Sequence, residues 1–126
     1  MAKKVLKFGI MSREDYKKRT MAIARGEYRP KKGEPKVWFE TLQSMAQILS
    51  SENQQLLKII KEKNPTSLKE LEIATGRKRS NLSRTLRTMS RYGIIDLVKH
   101  NNRTVQPIVK ATDFKIEFGL DASRAP

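Results

Sequence analysis

Apolar residues recur at helical spacing in five stretches of this chain and alternate with polar ones in four shorter stretches. Val5 to Ile10 alternates and reads as a strand. Tyr16, Thr20, Ile23 and Ala24 follow a Ser12–Asp15 capping pattern and precede Gly26, which predicts a helix at about 13–25. A loop rich in glycine, proline and charge follows. Val37, Trp38 and Phe39 form the most apolar aromatic cluster, read as core or subunit packing in preference to a base-stacking platform. Leu42, Met45, Ala46 and Leu49 predict a helix at about 41–49.

Ser51 and Gln54 read as a capping box ahead of Leu56, Leu57, Ile59 and Ile60, and Asn64–Pro65 ends that helix. Ser67 with Glu70 caps another, which carries Leu68, Leu71 and Ala74 inward and closes at Gly76. A third helix over 79–91 places Leu82, Leu86 and Met89 on one stripe and Ser80, Arg84, Arg87 and Arg91 opposite. Three helices with short connections follow the helix-turn-helix plan. After Gly93 the period changes to two. Ile94 to Lys99 and Val105 to Val109 read as a hairpin, with Pro107 in an edge position. Its turn runs from His100 to Arg103, with Asn101 and Asn102 suited to positive φ. Phe114, Ile116 and Phe118 alternate again, as a further strand or a packing surface for a second copy. Residues 121–126 read as a frayed tail.

Composition excludes several functions. The 126 residues contain no cysteine and one histidine, His100, so disulfides, cysteine redox chemistry and an ordinary zinc site are ruled out. No apolar run exceeds four residues, which argues against a membrane span or signal peptide and for a cytoplasmic location. The carboxylates are scattered and unpaired with any base, so no enzyme and no cofactor are expected.

The net charge is +14, and its placement is informative. Residues 1–40 carry +7, 41–76 are neutral, 77–110 carry +8, and 111–126 carry −1. The excess therefore sits on the third helix with its hairpin and on the N-terminal arm, as for a polyanion-binding protein.

Thr75–Gly76, Ser80, Leu82, Ser83, Arg84, Leu86, Met89, Gly93, Ile94 and Ile95 resemble in place the pattern of winged-helix regulators of the MarR and ArsR type. The whole chain is similar to a group of small prokaryotic predicted transcriptional regulators, some of them thought to be antitoxins. The resemblance implies an α+β, mostly helical fold: a winged helix-turn-helix at 49–112, an N-terminal helical extension at 1–48 for dimerisation or partner binding, and a C-terminal strand and tail at 113–126. It implies a sequence-specific regulator of transcription, a repressor, bound to double-stranded DNA as a homodimer. Residues 80–91 would enter the major groove and the wing at 99–104 would lie on the minor groove or backbone. An antitoxin with a toxin partner, or an RNA-binding protein, remain alternatives.

On that reading Ser80, Asn81 and Arg84 contact base edges. Arg77, Lys78, Arg79, Ser83 and Arg87 hold phosphates. Lys99, Asn101, Asn102 and Arg103 act from the wing. Lys3, Lys4, Lys7, Lys17, Lys18 and Arg19 either flank the duplex or form a solvated face. Two departures from the family pattern stand out. Arg77–Lys78 replaces a Leu–Ser pair, so the helix starts late or with a weaker cap. The wing keeps its arginine, Arg103, without the aspartate that would orient it.

Overall fold

The computed structural model describes residues 4–101 and 103–120. Lys3, Asn102 and the tail from Asp121 to Pro126 lie outside the described residues. The fold is α+β, with five helices and five strands among those residues. The chain divides into two compact units. One takes in the chain up to Lys4 and residues 47–112; the other takes in Val5–Ala46 and the chain from Asp113 onward.

The second of these units is built on a three-stranded sheet. Strand β1 (Val5–Ile10) lies in the middle, with β2 (Val37–Phe39) on one side and β5 (Asp113–Glu117) on the other, all parallel. Parallel neighbours need a long crossover. Between β1 and β2 it is helix α1 (Arg13–Ala24), whose N-cap Ser12 accepts the Asp15 N–H at 3.1 Å. Helix α2 (Leu42–Ile48) follows β2. The core centres on Phe8, fully buried, which meets Phe39 edge-on at 5.0 Å and stacks on Phe114 at 5.5 Å. Phe114 is thus used inside its own unit, while Ile116 and Phe118 are about half exposed. Gly9 is dictated by contact: a Cβ there would fall 2.3 Å from the Trp38 ring.

Arg19 does not belong to a solvated basic face, as its place among the N-terminal cations implied. It is 8% exposed, lies over the rings of Trp38 (5.2 Å) and Tyr28 (5.9 Å), and pairs with Glu34 at 3.5 Å. Aromatic faces suit a weakly hydrated guanidinium. Glu34 in turn accepts the Tyr28 hydroxyl at 2.6 Å and the Lys31 N–H. Partial burial works against the Glu34 charge, but those hydrogen bonds and Arg19 outweigh it and hold the carboxyl below its ordinary range. The same hydrogen bond, with burial, raises the Tyr28 hydroxyl.

The unit containing residues 47–112 stacks α3 (Ser51–Lys63), α4 (Leu68–Thr75) and α5 (Arg79–Arg91) against an antiparallel hairpin of β3 (Ile95–Lys99) and β4 (Val105–Val109). Leu56, Ile60, Leu71, Leu82, Leu86, Met89, Ile94 and Ile95 are each no more than 1% exposed and form its core. The caps explain the boundaries. Ser67 accepts the Glu70 N–H at 3.2 Å, and Glu70 accepts from Thr66 in return. Asn64 and Gly76 end α3 and α4 in the left-handed conformation. The cap of α3 sits one residue earlier than the sequence pattern implies. Ser50, not Ser51, is extended and accepts the Asn53 N–H at 3.2 Å, and Gln54 reaches the Leu49 carbonyl instead.

Candidate nucleic-acid interface

Helix α5 is amphipathic to the degree that its sequence demands. Leu82, Leu86 and Met89 are sealed in the core, while Ser80, Asn81, Arg84, Arg87 and Arg91 are exposed. Positions 80, 84, 87 and 91 repeat at one-turn spacing, so three of the arginines share one face. Arg84 and Arg87 make no ion pair among the described residues. Ser83 is partly covered at the edge of that face.

The start of the helix resolves the first departure from the family pattern. Helix α5 begins at Arg79, with Lys78 as an extended N-cap that offers no side-chain hydrogen bond. The cap is weak; the helix is not late. A capping side chain is worth about 1 kcal/mol, which α5 forgoes and its buried stripe outweighs.

The three consecutive cations before and at the helix start do not form one uniform cluster. Arg77 is partly covered, its two terminal nitrogens donating to Asn53 Oδ1 at 3.3 and 3.4 Å, with Glu52 at 4.0 Å. Arg79 donates from Nε to Glu72 Oε1 at 2.5 Å. Lys78 is exposed between them. Asn53 is itself anchored, donating to the carbonyls of Gln47 and Ile48 at 3.3 and 3.0 Å. Ser50, Asn53, Arg77, Lys78, Asn81 and Thr85 border one shallow depression beside the first turns of α5. Sequence reasoning missed Asn53 and Thr85. No local signal marks Asn53, because its partner is 24 residues away.

At the far end of the hairpin, Lys99 pairs with Val105. The turn is closed by the His100 N–H to Thr104 at 2.9 Å and the Arg103 N–H to His100 at 3.0 Å. His100 Nε2 lies 2.8 Å from Gln106 Oε1, so its ring packs back on the hairpin. The positive φ falls on Arg103 (67°), not on Asn101, one of the two asparagines expected to adopt it. Asn101 and Arg103 are both exposed. The site residues thus occupy two places on one unit: the outer face of α5 with its preceding turn, and the hairpin tip.

No helix among the described residues is long and apolar enough to cross a membrane. No curated protein and no solved structure matches the chain. A family model does match, over residues 48–116, which takes in α3, α4, α5, the hairpin and most of β5. That span is more than half of the 126 residues, and the chain belongs to the HVO_A0114 family.

Proposed function

We propose that residues 47–112 form a winged helix-turn-helix that binds double-stranded DNA and regulates transcription, with α5 in the major groove and the β3–β4 hairpin as the wing. One observation carries this reading: the outer face of α5 presents Ser80, Asn81, Arg84 and Arg87, exposed, on a helix whose opposite stripe is sealed in the core. Arginine grips guanine or phosphate, and asparagine grips adenine, from a helix of that width. Ser80, Asn81 and Arg84 are the base-reading candidates, nearest the helix start. Lys78, Ser83 and Arg87 serve phosphates. Asn53 acts as a positioning residue that aims Arg77. The reading includes a homodimer on paired half-sites, whose spacing a selection from random duplex reports.

Two substitutions test the division of labour. Arg84→Ala costs about 1–3 kcal/mol on the selected site and little on random duplex. Arg87→Ala weakens both alike. Identical behaviour of the two variants removes the base-reading role from Arg84. Double-stranded RNA serves as competitor: displacement equal to that by duplex DNA would turn the reading toward RNA.

The wing has a separate test. Left-handed backbone costs a non-glycine residue about 1–2 kcal/mol, and glycine gives back roughly half of any relief through its freedom in the unfolded chain. Arg103→Gly therefore leaves the melting temperature unchanged or slightly higher, while it weakens duplex binding. A drop in melting temperature would assign Arg103 a structural role and remove it from the interface.

A further inference from the structure

The unit built on β1 holds a cavity of about 420 Å³. That volume lies in the range of small-molecule sites. Its apolar wall includes Tyr28, Trp38 and Phe118, with Met11 and Pro35. Its charged rim is Asp15, Glu34, Glu40 and Glu117, against one cation, Lys31. The balance inverts that of the protein. Among the described residues, four acidic side chains and one basic one border this cavity. With Glu34 matched by Arg19, the described lining still carries −2, from Asp15, Glu40 and Glu117 against Lys31, on a chain of +14. These four carboxylates come from α1, the loop before β2, the residue after β2, and the end of β5, so only the fold assembles them.

The cavity carries the inference, and its lining names the ligand. We propose that it binds a small organic cation, an amine on an apolar body. The aromatic wall takes the body, and the carboxylates of the rim attract the charge. This unit already uses that chemistry once, where Arg19 lies over Trp38 and Tyr28. Glu34 is occupied by Arg19, Tyr28 and Lys31, which leaves Asp15, Glu40 and Glu117 to receive the ligand's charge. A metal ion fits less well: among the described residues no three carboxylate or histidine side chains converge closely enough to hold one. An anionic ligand meets the wrong sign. The inference is independent of the DNA-binding reading, because every lining residue lies outside 47–112.

The protein carries its own reporter, since Trp38 is the only tryptophan and stands in the cavity wall. Titration of the full chain with phenethylamine produces a saturable change in Trp38 emission, and phenylacetate, of the same size and opposite charge, produces none. Glu40→Gln and Glu117→Gln, both at exposed positions, keep the far-ultraviolet dichroism; together they weaken phenethylamine by at least about tenfold, the loss expected when charged partners are removed. Equal responses to amine and acid overturn the proposal. So does an absence of saturation by millimolar amine, or an affinity that the two substitutions leave unchanged.

Discussion

Raising the salt from 50 to 200 mM weakens duplex binding by roughly 10³–10⁵-fold, as measured by fluorescence anisotropy on a labelled selected site. The estimate follows from counting cations. On the dimeric reading, each protomer offers Lys78, Arg87, Lys99 and Arg103 to phosphates from exposed positions, Arg84 being kept for bases. Arg77 and Arg79 are held by Asn53 with Glu52 and by Glu72. A surface ion pair is worth only about 0–1 kcal/mol, so a phosphate competes for these two on even terms. A dimer then makes about 6–10 phosphate contacts, and each releases close to one counterion. The loss corresponds to about 4–7 kcal/mol across that salt range. A flat response would discard the nucleic-acid reading, whatever the fate of the individual residues.

Phe8→Ala destabilises the sheet unit by about 3–5 kcal/mol, a large share of the stability of any small domain. Phe8 is fully buried on the central strand and touches an aromatic ring from each neighbouring strand, Phe39 and Phe114. Its removal leaves a void that the flanking strands cannot close without breaking their ladders. Urea unfolding followed by Trp38 emission reports on this unit, because Trp38 lies in β2. A shift under about 1 kcal/mol would mean that the site collapses freely and that the three rings do not form a shared core.

The helices α3, α4 and α5 were readable in the chain because local signals agree. Ser67 and Glu70 mark a start, Asn64 and Gly76 mark stops, and the apolar stripe of α5 keeps one period throughout. What stayed hidden depends on partners distant in sequence. Alternation at Phe114 and Ile116 announces a strand but not its neighbour, and the parallel pairing with β1 has no turn to betray it. Arg19 looked like one more cation in a basic arm; only the folded positions of Trp38, Tyr28 and Glu34 make it a buried one. The arginines at 77 and 79 read as a clamp from charge alone, whereas their side chains answer to residues on α3 and α4. At the hairpin tip, the preference of asparagine for positive φ pointed to Asn101 as well as Asn102, yet Arg103 takes it where Asn101 does not, because turn length and hydrogen bonding decide which positions take it.

The parallel contact between β1 and β5 sets an order of events during synthesis. Val5 lies against Asp113, so the first strand made must wait for the last. Residues 47–112 leave the ribosome in between and form, with Lys4 already made, a compact unit of their own. That segment behaves as an insert that folds while the sheet still lacks an edge strand. Closing a contact across so long a stretch of chain is slow compared with local helix pairing. The nascent chain therefore carries a completed helical unit for some time while the middle strand of its sheet stays open on one side.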